Sequence, residues 1–291
     1  MLNLNFAGEY FENTIMSLDQ LDLDENEKNM SFFDHVDELR SHIVRALLAI
    51  VICAVLAFIF SDFVVNTVLF GPKSKDFITY KIMCRISKDA CFDGFNFTII
   101  NTDVTGQFIM SMSIAFISGL IVAFPYVIYE FWRFFRPALK PSEQKQTTGI
   151  ILISSGLFLI GVLFGYFLLA PVSLFFMATY TISEQIVNSW TIQSYISFIT
   201  MLTVATGLIF ELPLIMYFLA KLGIVNAAFL KKYRRYAILI IVVLAAIVTP
   251  PDAGSQMLVS IPLLILYEIG VIITKRVEKN AAFKNANDII S

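Results

Sequence analysis

The sequence predicts an all-α polytopic membrane protein with about six transmembrane helices, the last two of them short. Three observations carry this. Of 291 residues, 57% are hydrophobic and only 15% charged, where soluble domains sit near ~25% charged. Several apolar runs are long enough to cross a hydrocarbon core of ~30 Å. Lys and Arg concentrate in alternate connections between those runs. The mean hydropathy is +0.75, with Phe abundant and Gly and Pro recurring inside the apolar runs, as packed membrane helices require.

The net charge of −2 hides an asymmetry: residues 1–30 hold seven acids against Lys28 alone, a balance of −6, which leaves +4 for the rest. This stretch reads as a solvated, disordered acidic tail, or as a misassigned start with Met30 the true initiator. It lacks the basic n-region and apolar h-region of a secretory signal, so the first membrane helix serves as its own insertion signal. Residues 31–277 form the membrane domain, and 278–291 a C-terminal tail.

Ser31 followed by Asp34 resembles a capping box with the shorter acid. The helix it opens has an apolar side of Phe32, Phe33, Val36 and Leu39, with His35, Glu38 and His42 near one another at i+3 and i+4 spacing. It enters along the interface and becomes the first span, Ile43 to Phe60. Asp62 to Gln107 is expected as a long mixed-charge loop containing Gly71-Pro72. The second span, Phe108 to Tyr129, bends at Pro125. Glu130 to Glu143 is aromatic and basic, with Trp132 and the arginines as interfacial anchors. Pro141-Ser142 starts the next helix, and Glu143 lies in its first turn, where the helix dipole favours a carboxylate. The third span covers Thr148 to Ala170. The loop Pro171 to Gln193 has no Lys or Arg, and Trp190 marks its return to the interface.

The fourth span, Ser194 to Lys221, is ~40 Å long as a helix and carries one carboxylate, Glu211, well inside it. A carboxylate at that depth costs ~2.5–3.5 kcal/mol on insertion scales unless it faces protein or water. Glu211 is therefore either a polar spot in a membrane cavity or a protonated acid satisfied by a neighbouring helix. Pro213 kinks the helix and frees backbone groups at similar depth. Two short spans follow: Tyr236 to Thr249, ~21 Å, and Gln256 to Ile273, ~27 Å with Pro262 and Glu268. Such lengths thin the bilayer locally.

Arg133, Arg136, Lys140 and Lys145 follow the second span, Lys231, Lys232, Arg234 and Arg235 the fourth, and Lys275, Arg276, Lys279 and Lys284 the last. The positive-inside rule then places both termini in the cytoplasm. Cys53 is a small packing residue in the first span. Cys84 and Cys91 lie in the outward loop, where their spacing permits a loop-closing disulfide; the alternative is two free thiols. His35 and His42 lack the spacing of a zinc hydrolase, and no nucleophile elbow, P-loop or dinucleotide fingerprint is present. No enzyme activity, metal, cofactor or nucleic-acid partner is expected.

Four stretches in order resemble the TatC family, the multi-span subunit of the twin-arginine protein translocase. They are His35-Val36-Asp37-Glu38-Leu39-Arg40; Phe134-Phe135-Arg136-Pro137-Ala138-Leu139 with Glu143; Phe210-Glu211-Leu212-Pro213; and Thr249-Pro250-Pro251-Asp252 with Gln256. The resemblance extends from Phe33 to Val277. It implies a concave, cup-like bundle in the bacterial inner membrane that receives folded proteins bearing twin-arginine signal peptides. Assembly with single-span TatA- and TatB-type partners, self-association, contact with membrane lipid and export driven by the proton-motive force are implied with it.

By the same resemblance Glu38 and Glu143 bind the arginine pair, with His35, Arg40 and Phe134 beside them and Arg40 orienting the acid. Two guanidinium forks match two carboxylates, and bidentate pairing favours Arg over Lys. Glu211 matches an intramembrane polar residue, and Thr249, Pro250, Pro251, Asp252 and Gln256 a docking site for partner helices. Simpler readings stand beside these: a helix-start charge at Glu143, an ion pair of Glu38 with Arg40 or Arg45, and helix capping at Thr249 and Gln256. The acidic tail and the enlarged first outward loop depart from the family pattern. A secondary transporter using Glu211 as a proton or substrate site is the main rival, although no internal repeat of the kind such proteins show is visible. A ligand-free membrane scaffold is the other.

Overall fold

The computed structural model describes residues 32–86, 97–135, 147–183, 189–249 and 253–290. Helix α1, Phe32–Ile59, is followed by a short helical piece at Ser61–Phe63 and a wider π-helical turn at Val64–Leu69. Where the sequence predicts a loop from Asp62 to Gln107, the chain is structured: a 3₁₀ turn at Gly71–Lys73, helix α2 at Ile78–Ile86 and strand β1 at Thr98–Ile100.

Aromatic burial accounts for that order. Tyr80 is buried and its hydroxyl donates to Pro72 O at 2.9 Å and Pro171 O at 3.2 Å, while Phe77 stacks on Phe167. Burial raises the Tyr80 pKa above its ordinary 10.0, so the hydroxyl remains a neutral donor. Tyr195 reaches Leu69 O at 2.9 Å and Tyr166 reaches Val68 O at 2.5 Å. Cys84 on α2 is disulfide-bonded and Cys53 is free; Cys91 lies outside the described residues.

Helix α3, Gly106–Phe135, is continuous through Pro125 and forms the most extensive helix pair of the fold with α1. A Cβ on Gly119 of α3 would lie 2.5 Å from the Ala54 backbone nitrogen on α1, so only glycine permits this approach. Helix α4, Thr147–Phe164, continues through a π-helical turn at Gly165–Leu169 into α5, Ala170–Thr179. The third apolar segment thus runs past its expected end at Ala170. Pro171 falls in the first turn of α5, where a missing N–H is tolerated.

Strand β2, Ser189–Thr191, pairs in parallel with β1, so two connections between apolar segments add a small two-stranded ribbon to the helices of the described residues. Trp190 stacks on Phe97 at 4.1 Å between ring centroids. Helix α6, Ile192–Phe210, is capped by Thr191 and runs through the core, with Tyr195, Ile196, Ile199 and Leu202 nearly fully buried.

Glu211 separates α6 from helix α7, Leu212–Lys221, with Pro213 in the first turn of α7. The predicted kink is therefore an interruption. Gly223, at φ 72°, closes α7: Gly223 N donates to Ala220 O and Ile224 N to Leu219 O, a left-handed C-terminal cap. Asn226 then caps the short helix α8, Ala227–Lys232.

Helix α9, Arg234–Val248, has 15 residues, ~22 Å, and is short as predicted. The last helix is not. Helix α10 runs 38 residues from Ala253 to Ile290, because no helix breaker follows Gly270 and the polar tail continues the apolar segment. Glu278 accepts from Ala227 N at 2.7 Å, and Tyr267 donates to Leu230 O at 2.8 Å, fastening α8 to α10. Glu268 pairs with Arg234 at 2.6 Å, which supplies its counter-ion. Among the described residues five helical segments are long and apolar enough to cross a membrane: Val36–Ile59, Gly106–Phe135, Gly149–Thr179, Ile192–Lys221 and Gly254–Asn280. Helix α9 falls short of that length.

Candidate functional site

Among the described residues, two polar clusters form around buried carboxylates, Glu130 and Glu211. The first lies where α1 begins and α3 ends. On α1, Glu38, His42 and Arg45 follow one another at i+4 and i+3, so they share a face. On α3, Tyr126, Glu130 and Phe134 are spaced at i+4 and form the opposing stripe. The Glu130 carboxylate is almost wholly buried. It takes His42 Nδ1 at 2.6 Å on Oε2 and Tyr126 hydroxyl at 2.8 Å on Oε1. Arg45 Nη1 stands 3.9 Å from the same Oε2. Phe134, buried, meets the His42 ring edge-on at 6.1 Å. Below it Trp132 and Phe135 pack against Phe218 of α7, at 5.8 and 4.8 Å between centroids.

Glu38, one turn before His42, is half-buried, and its Oε2 is enclosed without a hydrogen-bond partner. Arg40 is exposed and has no ion pair among the described residues. Two residues apart on a helix, the two side chains point to opposite sides, so the structure does not support Arg40 as the residue that orients Glu38. Neither Arg40 nor Arg45 pairs with Glu38 among the described residues. Glu143 lies outside the described residues, as does the side chain of His35.

The second cluster surrounds Glu211, which is buried at the junction of α6 and α7. Ser154 of α4 donates to Glu211 Oε2 at 2.9 Å, while Oε1 is enclosed without a partner. A protein hydroxyl shields the acid from lipid, as the insertion cost demands. The close passage of α4 and α6 beside it needs glycine: a Cβ on Gly161 would lie 2.8 Å from the Phe210 side chain.

Thr249 at the end of α9 is buried and donates to Ala245 O at 2.8 Å. Gln256 Nε2 reaches Val242 O at 3.4 Å. The Thr249 contact closes the end of α9 on its own last turn, as the capping reading has it, whereas the Gln256 contact crosses from α10 to α9 and is not a cap. Pro250, Pro251 and Asp252 lie outside the described residues.

Sequence reasoning did not single out Glu130 or its pairing with His42. The available signal was a lone carboxylate at the end of a long apolar run facing a histidine at the start of another. Their separation of 88 residues hides the match until α1 and α3 are seen to pack antiparallel. Among the described residues no group of His, Cys, Asp and Glu could hold a metal ion.

A profile of the family described as Sec-independent protein translocase protein (TatC) matches residues 34–262. The TatC of Blattabacterium sp. subsp. Periplaneta americana is 39% identical, with 87% of this chain and 98% of that protein aligned. TatCy of Bacillus subtilis is 34% identical over 89% of this chain and 94% of its own length. A crystal structure of the twin-arginine translocase receptor TatC superposes with a TM-score of 0.66 at 32% identity, covering 84% of this chain and 99% of that one. A mostly helical, multi-pass chain of the bacterial inner membrane, with these relatives along nearly its whole length, belongs to the TatC family, the receptor subunit of the twin-arginine protein translocase.

Proposed function

We propose that this chain binds the twin-arginine pair of a signal peptide at its cytoplasmic rim, through Glu38 and Glu143, and hands the folded cargo to an assembly with TatA- and TatB-type subunits. The observation that supports this most directly is the enclosed, unpartnered oxygen of Glu38. A buried carboxylate oxygen without a donor is costly, and an arriving guanidinium fork removes that cost. The neighbouring His42–Glu130 pair ties α1 to α3, so Glu38 is presented from a fixed helix face rather than from a loose segment.

The reading places both termini in the cytoplasm, consistent with the three basic connections. It places partner helices against the end of α9 and the start of α10, where Thr249 and Gln256 lie beside the Pro250-Pro251-Asp252 connection. The energy of transport comes from the proton-motive force.

The test is binding of a twin-arginine peptide against a twin-lysine control to the protein in nanodiscs. Preference for the arginine peptide is expected, and Glu38→Ala and Glu143→Ala each abolish it. Equal binding of the two peptides refutes the receptor site. Glu211 separates this function from a solute transporter: Glu211→Gln, which retains an acceptor for Ser154, exports cargo, while Glu211→Ala folds but exports poorly. Solute or proton flux through the reconstituted chain alone would instead favour the transporter.

A further inference from the structure

Glu130 is buried, yet its access is uneven. His42 is enclosed, whereas Arg45 has a side chain 41% exposed and Tyr126 is likewise 41% exposed. The exposed neighbours of this carboxylate are therefore Arg45 and Tyr126. Arg45 holds its place mainly through its own helix: Nε donates to Ser41 O at 3.2 Å and Nη2 to Ser41 Oγ. Its contact with Glu130 is an ion pair at 3.9 Å, beyond hydrogen-bond length. A guanidinium thus sits over a buried carboxylate without forming the bidentate bond that the two groups could make. One and two turns back along the same face lie Ser41 and Glu38, the latter with its unpartnered oxygen.

We propose that Arg45 is an internal stand-in for a signal-peptide arginine: its guanidinium covers Glu130 and is displaced when a guanidinium of the peptide pairs with that carboxylate. This rests on the proposed binding of twin-arginine peptides at Glu38. Glu130 then becomes a further acid of the site, held ready by His42 and Tyr126, each of which fills one acceptor position on a different oxygen. Each carboxylate oxygen can accept more than one donor, so a peptide guanidinium can join without expelling His42. The stand-in prevents Glu130 from facing the rim uncompensated, and it sets a threshold that a lone lysine ammonium, with no fork, overcomes less well.

The test is a cycle of peptide titrations on the full chain in nanodiscs, using wild type, Arg45→Gln, Glu130→Gln and the double variant, each first shown to retain its unfolding temperature within a few degrees. Removing the stand-in is expected to tighten twin-arginine peptide binding roughly two- to fivefold, the scale of a half-exposed ion pair. In the Glu130→Gln background Arg45→Gln should bring no gain, and Glu130→Gln alone should lower the preference for arginine over lysine. If Arg45→Gln binds the peptide unchanged or more weakly, or if its gain persists without Glu130, the stand-in is refuted. Glu38→Ala run alongside keeps the two ideas apart. Loss of binding there with no gain in Arg45→Gln removes only the stand-in, whereas no arginine preference in the wild type removes the receptor reading itself. Should Arg45→Gln be unstable, Arg45→Lys takes its place, with a smaller gain in the same direction expected; no gain refutes the proposal.

Discussion

Glu130 has His42 on one carboxylate oxygen and Tyr126 on the other, inside a helix that is otherwise apolar along most of its length. A hydrogen bond to a charged group contributes ~1.5–3 kcal/mol, and stranding either partner costs its full desolvation. Replacing His42 or Glu130 alone by Ala should therefore destabilise the chain strongly, and the double variant should cost much less than the sum. A double-mutant cycle on thermal unfolding in detergent should return a coupling of about 1.5–3 kcal/mol; additive losses would mean that the pair is not a working contact. Of the polar residues, motif and depth singled out Glu38 and Glu211, which the structure places in enclosed surroundings, and Arg40, which it leaves exposed. Glu130 was not singled out, since one carboxylate at an interface looks the same whether it is solvated or paired across a helix contact.

Helix α1 and helix α3 owe their register to small residues as much as to polar ones. The Cβ of an alanine at position 119 would meet the Ala54 backbone nitrogen at 2.5 Å and its Cα at 2.7 Å. Gly119→Ala should force the helices apart and destabilise by ~1–3 kcal/mol, the usual cost of overpacking. Adding Ala54→Gly should not repair the loss, because the conflict is with backbone. Unfolding temperatures of the single and double variants check this, and full recovery in the double would show that only the two side chains collide. The break at Glu211 and the length of α10 belong to this scale too. Pro213 announces an interruption without saying whether the helix bends or ends. The tail after Lys279 lacks the apolar pattern that bounds a span, yet no breaker interrupts it, and contacts from α8 to Tyr267 and Glu278 hold the turns that precede it.

Across the whole molecule, the basic connections predict that both termini face the cytoplasm. In a cysteine-free background, a cysteine at Ser291 should resist a membrane-impermeant maleimide in intact cells and react once the membrane is opened. A cysteine at the exposed Thr181, between the third and fourth apolar segments, should react without permeabilisation. The reverse pattern would invert the molecule and remove the rim from the compartment in which signal peptides are made.

The membrane class, the order and approximate bounds of the long spans, the shortness of α9 and the four family motifs were determined by sequence alone, because they depend on local hydropathy and residue type. Tertiary structure decided the rest: the Glu130–His42 clasp, the shielding of Glu211 by Ser154 and the packing of α2 onto the turn between α4 and α5. Each of these joins residues dozens of positions apart. Whether a polar atom deep in an apolar chain is satisfied depends on which helix packs beside it, and no local pattern records that.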